Sequence, residues 1–239
     1  MLVVLGWCLR GTEFEPRLFR GAGENAARFA RGLFPPDWTE LKPALDALVV
    51  TIQMAILGTF FGFAVALPVS FLAARTMVLP RWFSSGIKQV LNVLRAIPVQ
   101  IYAILFVWIV GLGPFTGALG IGVGSFAFMG KLFAEALESV HPAPIEGVKA
   151  VGATPVQVFA YAMLPQALPQ FISHTLYAFE HNLVSATVVG IVGAGGIGFR
   201  LLQLINYNQW EKVAVYVLLL VTLVLIVDAL SYQVRRRVT

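Results

Sequence analysis

The chain has 239 residues, of which 58% are hydrophobic and only 12% are charged, and its mean hydropathy is +0.81. Soluble globular chains carry about 25% charged residues, roughly twice this share. The composition therefore excludes an ordinary soluble domain and indicates an integral membrane protein whose apolar residues are gathered in long runs.

The net charge of +5 and the pI near 9.6 are compatible with nucleic-acid binding. However, most basic residues flank apolar runs, where they set topology and reach the membrane interface. We therefore predict a lipid membrane as the partner and no nucleic acid. The only cysteine, Cys8, excludes an internal disulfide and a cysteine-based metal site, and we predict no metal site.

Residues 1–43 are predicted to form a separate N-terminal part. Residues 1–9 are apolar but too short to span a membrane, so we interpret them as a partial span. Between residues 17 and 34, apolar positions recur at helical spacing with arginines opposite. This pattern fits an amphipathic helix at the membrane interface or, equally well, a solvated surface helix. Pro35 and Pro36 are expected to end it.

Residues 44–239 are predicted to form a transmembrane domain. A spanning helix needs about 20 apolar residues, and five segments qualify, at roughly residues 45–74, 96–112, 115–137, 168–192 and 213–230. The first contains Gly58 and Gly62, whose spacing allows close helix packing. A basic loop at 75–95 and the arginine triplet at 235–237 favour a cytoplasmic C-terminus, although residues 10–44 are equally basic.

The segment between the third and fourth spans, residues 142–165, is too polar and too interrupted to cross a membrane. Pro142 suits the start of a short helix, with Glu146 in its first turn and Gly152 in a left-handed turn at its end. Thr154 with Gln157 then forms a capping box that starts a second helix. Pro165 and Pro169 are expected to end that helix. The pattern predicts a rigid helix–turn–helix projection suited to docking, or an ordinary connecting loop.

This segment resembles the signature loop of ABC importer permeases. That motif is Glu-Ala-Ala, three residues, Gly, nine residues, Ile, one residue, Leu-Pro, and its spacing is matched throughout. The matching positions are Glu146, Gly147, Val148, Gly152, Leu164 and Pro165. Gly147 and Val148 replace the two alanines, and Ala162 replaces the isoleucine.

Other segments resemble the phosphonate permeases of the same superfamily. They are residues 94–98 (LRAIP), 130–138 (GKLFAEALE), 179–182 (FEHN), 185–188 (SATV) and 190–199 (GIVGAGGIGF). The resemblance covers residues 9–237. One departure concerns Val184, where this branch commonly has an arginine. If that arginine meets the anion in the relatives, this chain handles its substrate differently.

Gly193, Gly195 and Gly198 fit the spacing of a dinucleotide-binding fingerprint, but that motif requires a strand–turn–helix context. Here the glycines follow a membrane helix, so we interpret them as irregular backbone buried at the outer end of the fourth span. The sequence holds no phosphate-binding loop of the G-x-x-x-x-G-K-[ST] type. We therefore predict no cofactor on this chain, with ATP and Mg bound by a partner ATPase.

The fourth span carries a polar face, because residues 174, 177, 181 and 185 follow one another at helical spacing. Ionisable groups inside a membrane usually face a bundle interior or water. Candidate residues for a translocation path are Glu135, Tyr177, Glu180, His181, Asn182, Ser185 and Thr187. Buried structural hydrogen bonding is the alternative. Lys131 and Glu135 are spaced for an ion pair, and two histidines about 10 Å apart cannot share a metal.

The expected fold is an all-α integral membrane bundle of five to six transmembrane helices with a cytoplasmic coupling-helix loop. The resemblance implies a non-catalytic permease subunit in the bacterial inner membrane that imports phosphonate or a related phosphorus oxyanion by alternating access. It also implies a homodimer, cytoplasmic ATP-binding subunits and an extracytoplasmic binding protein. Alternatives are a methionine- or phosphate-type importer permease, a proton-coupled secondary transporter and a membrane enzyme.

Overall fold

The computed structural model describes residues 1–12, 19, 21–75 and 80–238, and the described residues form helices and turns without strands. The helices are α1 (Leu2–Gly11), α2 (Ala22–Gly32), α3 (Leu41–Ala73), α4 (Arg81–Ala96), α5 (Val99–Val110), α6 (Pro114–Glu138), α7 (Pro142–Ala150), α8 (Pro155–Val158), α9 (Leu164–Val189), α10 (Gly196–Asn206) and α11 (Trp210–Val238). A π-helical segment precedes α9 and another follows it.

Three stretches of the described chain are long and apolar enough to cross a membrane by themselves: Trp38–Ala73, Pro114–Glu138 and Trp210–Arg237. They confirm the predicted first, third and last spans. Two further pairs of helices qualify only when each bent pair is counted as one span, which gives up to five spans.

The predicted second span is wrong in its form. Residues 96–112 were expected to form the second span after a basic stretch, but α5 contains only 12 residues. At 1.5 Å per residue it is about 18 Å long, well short of a hydrocarbon core of about 30 Å. The basic stretch is itself the helix α4, which meets α5 at 83°. Pro98 cannot donate a backbone hydrogen bond, and Ile97 before it is extended, so the helix breaks there.

Helix α6 lies at the centre of the bundle and packs against α3, α5 and α9. Gly58 and Gly62 of α3 face Ile121 and Ser125 of α6 so closely that a Cβ on either glycine would overlap them, at 2.5 Å. The predicted role of this glycine pair in close helix packing is thereby confirmed. Gly120 of α6 approaches α5 in the same way.

Contacts between helix ends divide the bundle into two ends. At one end, Lys212 of α11 forms an ion pair with Glu40 before α3, at 3.1 Å. At the other end, Lys88 of α4 forms an ion pair with Glu138 at the end of α6, at 2.6 Å. The second end also carries α7 and α8, so the projection and the start of α4 lie on the same side of the membrane.

The N-terminal part is only partly described. Within the predicted amphipathic helix, α2 begins at Ala22 and ends at Gly32, before the two prolines, and none of its residues is buried. Residues 17, 18 and 20 of that prediction lie outside the described residues. Phe29 of α2 contacts Trp210 at the start of α11, with ring centroids 5.0 Å apart.

Candidate functional site

The projection between α6 and α9 has the predicted helix–turn–helix form. Helix α7 begins at Pro142, and Gly152 follows its end with φ +80°. The Thr154 side chain accepts a hydrogen bond from the Gln157 backbone, and the Gln157 side chain accepts one from the Thr154 backbone. The left-handed glycine and the capping box are therefore both confirmed.

Two details of the predicted projection are wrong. Glu146 lies beyond the first turn of α7, since that helix begins four residues earlier and is capped by His141. Pro165 and Pro169 do not end the second helix. The chain passes from α8 through a π-helical segment into α9, with Pro165 in the first turn of α9 and Pro169 inside it. The wider π turn accommodates Pro165 at a position where no helical N–H donor is required.

A few apolar side chains fix the projection to the bundle. Ile145 and Val158 are buried in a hydrophobic cluster with Phe133 and Leu137 of α6 and Met163 before α9. Burying side chains of this size contributes about 1.5–3 kcal/mol each. The projection is therefore a rigid part of the bundle.

The opposite side of the projection is uncovered. Val151, Val156 and Tyr161 are 83%, 65% and 74% exposed. Glu146 and Gly147 are exposed beside them. Among the remaining signature residues, Gly152 and Pro165 are exposed, and Val148 and Leu164 are half-buried. Apolar side chains clustered at one exposed, polar-rimmed end are typical of a surface that another protein covers.

Glu138 connects the projection to two other helices. Its Oε2 lies 2.6 Å from Lys88 Nζ, and its Oε1 accepts a 2.7 Å hydrogen bond from the Arg75 backbone N–H. Three residues further on, the backbone N–H of His141 donates to Gln166 Oε1 at 3.1 Å. These contacts join the end of α3, the middle of α4, the end of α6 and the start of α9 next to the projection.

A cavity of about 440 Å³ lies against α9, opposite the bend between α4 and α5. It brings together four of the predicted path residues: Tyr177, His181, Asn182 and Ser185. Ser125 of α6 adds a fifth polar side chain. None of the described residues that line the cavity is acidic, and the one permanent cation among them is Arg95.

Sequence reasoning missed Arg95, which it assigned to a basic loop and to the LRAIP segment without a role. The available signal was its position two residues before Ile97-Pro98, where a helix is expected to break. In the structure, the Arg95 guanidinium lies 5.3 Å from the centre of the Phe128 ring, within the range of a cation–π contact. Its location in the cavity depends on the 83° bend, which the sequence pattern did not reveal.

Three predicted path residues lie elsewhere. Glu135 on α6 is 4.0 Å from Lys131, as expected for an i, i+4 pair. Thr187 is buried, and its hydroxyl donates to the Leu183 carbonyl at 3.4 Å. Glu180 lines a second cavity, of about 270 Å³, and forms an ion pair with Arg235 of α11 at 3.0 Å.

Val184 also lines this second cavity, together with Glu180 and Asp228. An arginine at position 184 would therefore lie beside two carboxylates, which would attract its charge. In this chain that cation is absent from position 184, and Arg235 reaches both acids from α11, at 3.0 Å and 4.0 Å.

Asn182 has a structural role as well as lining the cavity. It is 2% exposed, and its amide donates to Thr59 Oγ1 at 2.9 Å and to Ser125 Oγ at 2.6 Å. These two bonds join α9 to α3 and α6. Buried hydrogen bonding, one of the two alternatives raised for the polar face of α9, therefore applies to Asn182, and path lining stays a prediction.

The glycine-rich segment after α9 has irregular backbone, as predicted. Gly193, Gly195 and Gly196 have φ values of +107°, +87° and +67°. The break leaves backbone polar groups without helical partners. One of them, the N–H of Ile197, donates a hydrogen bond to Thr51 Oγ1 at 2.9 Å. The chain then continues into α10 at 61° to α9. This is not the strand–turn–helix context of a dinucleotide site.

Comparison with known proteins agrees with this architecture. Residues 66–239 match the family described as binding-protein-dependent transport system inner membrane component. The chain belongs to this family. The permease is thus a multi-pass membrane protein with an all-helical ABC importer fold.

Two relatives from Stutzerimonas stutzeri are similar along most of their length. The phosphite transport system permease protein is 41% identical over 213 residues, covering 89% of this permease and 77% of the relative. A putative phosphite transport system permease protein is 34% identical over 238 residues, covering 98% and 83%. Among solved structures, the inward-facing MetNI methionine ABC transporter superposes with a TM-score of 0.72 at 28% identity, covering 82% of this permease and 95% of that chain.

Proposed function

We propose that the permease imports a phosphorus oxyanion (phosphonate, phosphite or phosphate) across the bacterial inner membrane, driven by ATP hydrolysed on a partner subunit. The two relatives from Stutzerimonas stutzeri support the substrate class, because their names describe phosphite transport systems. A phosphate-import permease of Mycolicibacterium smegmatis is 32% identical over 221 residues, and this relative adds phosphate to the candidate substrates.

The observation that carries the proposal is the projection at residues 142–165. It is anchored rigidly by Ile145 and Val158 but exposes Val151, Val156 and Tyr161 at one end of the bundle. A docking partner with ATP and Mg explains why apolar side chains are exposed there. The permease itself has no phosphate-binding loop. We place this end, and with it the C-terminus, in the cytoplasm.

We further propose that two copies of the permease enclose the path and that an extracytoplasmic binding protein delivers the substrate. In support, Tyr177 and His181 line the cavity yet are exposed in the single chain. A second copy against this side would enclose them. Alternating access then requires the two copies to close one end of the path while they open the other. The ATPase would drive this change through its contact with the projections.

Methionine is the second candidate substrate, because the methionine transporter shares the fold at 28% identity. The sequence identities favour a phosphorus oxyanion over methionine as the substrate. A probable D-methionine permease of Vibrio cholerae is 26% identical over 208 residues, whereas the phosphite permease is 41% identical over 213 residues. The cavity also favours an anion, since Arg95 lines it and no described acidic residue does.

The direct test is uptake by the complex reconstituted in liposomes from the permease and its ATPase, with the binding protein and ATP on opposite sides. We expect ATP-dependent uptake of radiolabelled phosphite, methylphosphonate or phosphate, and no uptake of methionine. A catalytically inactive ATPase is the matched control. Uptake of methionine, or uptake that needs a proton gradient instead of ATP, would overturn the proposal.

A further inference from the structure

The bend between α4 and α5 brings two positive features to one cavity. Arg95 lies in the last turn of α4, and the first turn of α5 contributes Val99 and Gln100 to the same lining. The N-terminus of a helix carries a partial positive charge and N–H groups without intrahelical acceptors. The Tyr102 hydroxyl donates to the Leu94 carbonyl at 2.6 Å, which fixes the geometry of the bend next to Arg95.

Arg95 is exposed in the single chain, and it differs from four cations of the bundle that are paired with carboxylates. Lys88 pairs with Glu138, Lys131 with Glu135, Lys212 with Glu40, and Arg235 with Glu180. Within the described residues, Arg95 has no salt bridge, and its guanidinium contacts the Phe128 ring. Ionisable residues of membrane domains usually face a bundle interior or a water-filled cavity and often mark the substrate path.

The groups around Arg95 suit a tetrahedral oxyanion. A guanidinium presents a planar fork of N–H donors that matches two oxygens of a phosphoryl group. Ser185 and Ser125 supply hydroxyl donors to the same cavity, and Gln100 supplies an amide. The cavity volume of about 440 Å³ exceeds what one phosphite or small phosphonate fills, leaving room for water or an organic substituent.

We propose that Arg95 is a substrate-binding residue, which pairs with the phosphorus oxyanion in the cavity as the anion crosses the membrane. This inference rests on the proposed function. None of the described lining residues is acidic, so no carboxylate of the lining itself repels the anion, and the Arg95 guanidinium contacts the Phe128 ring. His181 and Ser185 on α9 face the anion from the opposite wall.

The test is the uptake assay above with Arg95→Gln, Arg95→Lys and, as the matched control, Arg81→Gln. Arg81 begins the same helix, is exposed and lies outside the cavity lining. Losing a charge-assisted contact should lower the rate of phosphite uptake at least about tenfold in Arg95→Gln. Arg95→Lys keeps the charge without the fork and should retain an intermediate rate, while Arg81→Gln should stay within about twofold of the wild type.

Chemical rescue separates loss of charge from loss of fold. Arg95→Cys in a Cys8→Ser background is treated with 2-aminoethyl methanethiosulfonate, which restores a positive charge, or with the neutral 2-hydroxyethyl reagent of the same size. We expect the cationic reagent to restore uptake and the neutral reagent to leave it low. Equal uptake after both reagents, or undiminished uptake by Arg95→Gln, would overturn the role of Arg95. If the wild-type complex itself carries no phosphorus oxyanion, the proposed function fails instead.

Discussion

At the scale of single residues, the two glycines of the projection offer the sharpest comparison. Gly152 has φ +80°, whereas Gly147 lies inside α7, and a Cβ at either position meets open space. Within the single chain, any difference between side chains added at the two positions therefore reports backbone conformation. A side chain at Gly152 costs about 1–2 kcal/mol in the left-handed region, whereas alanine at Gly147 gains up to about 1 kcal/mol in helix propensity.

We therefore expect Gly152→Ala, and more strongly Gly152→Val, to uncouple the ATPase from uptake while the permease remains inserted. Gly147→Ala is the matched control and should leave coupling intact. The measurement is the number of ATP molecules hydrolysed per substrate imported by the reconstituted complex. An unchanged ratio in Gly152→Val would show that the projection is only a connecting loop.

Glu146 belongs to the same surface but acts differently from what the sequence suggested. Because it lies beyond the first turn of α7, its charge gains little from the helix dipole. Glu146 is exposed, so its carboxylate is available for contact with a partner. Glu146→Lys should weaken binding of the ATPase at least about tenfold without lowering the melting temperature of the isolated permease. Pull-down with purified ATPase measures the first effect; a fall in melting temperature with normal binding would contradict this role.

Asn182 is the residue for which a structural effect is expected. Asn182→Ala removes both hydrogen bonds from α9 to α3 and α6. Hydrogen bonds between membrane helices contribute about 0.6–2 kcal/mol each. Each kcal/mol lowers the melting temperature of a chain of this size by about 2–4 °C. The melting temperature of Asn182→Ala in detergent should therefore lie several degrees below that of the wild type. Ser185→Ala, at a residue that lines the same cavity, should lower the melting temperature by less. Equal melting temperatures would contradict the structural role of Asn182.

At the scale of helices, the pairing of α9 with α11 depends on Glu180 and Arg235. Their side chains are 19% and 27% exposed, so removing one charge leaves the other poorly solvated. Glu180→Gln should lower the yield of assembled permease, and so should Arg235→Gln. The charge-exchanged double variant Glu180→Arg with Arg235→Glu should recover much of the loss. Additive losses in the double variant, measured by size-exclusion chromatography, would show that the pair does not couple the helices.

The helices also show what the sequence could and could not predict. Gly152, Thr154 and the Gly58–Gly62 pair were predicted correctly, because each has one dominant physical consequence that nearby residues determine. The bend at Pro98 and the continuation of the chain through Pro165 were not, because a proline can kink a helix, end it or begin it. Packing decides between these outcomes, and it involves residues far apart in sequence, such as Leu94 and Tyr102.

The candidate site was likewise predicted from the sequence only in part. The polar face of α9 is visible as a periodic pattern, so Tyr177, His181 and Ser185 were found together. Arg95 lies about 80 positions earlier in the chain and enters the cavity only because α4 and α5 meet at an angle. No periodicity along α9 could identify it. Glu180 was assigned to the path from its place beside this polar face, and the sequence did not reveal its ion pair with Arg235, which was assigned to a membrane anchor.

At the scale of the whole molecule, the structure determines which segments share an end of the bundle. Lys88, Glu138 and the projection lie together, and Glu40 and Lys212 lie at the other end. If one of these segments is known to face the cytoplasm, the sides on which the others lie follow from the structure. This internal constraint matters because residues 10–44 are as basic as the segments at the opposite end, so charge alone does not decide the orientation.

The last prediction tests this orientation with single cysteines in a Cys8→Ser background. Ala143 and Val151 are exposed on the projection, and neither side chain takes part in its capping bonds. Tyr207, 74% exposed between α10 and α11, reports the opposite end. In intact cells, an impermeant maleimide should label Tyr207→Cys rapidly and leave Ala143→Cys and Val151→Cys unlabelled. All three should react after the membrane is permeabilised. The reverse pattern would place the projection outside the cell, where no ATPase could drive the permease.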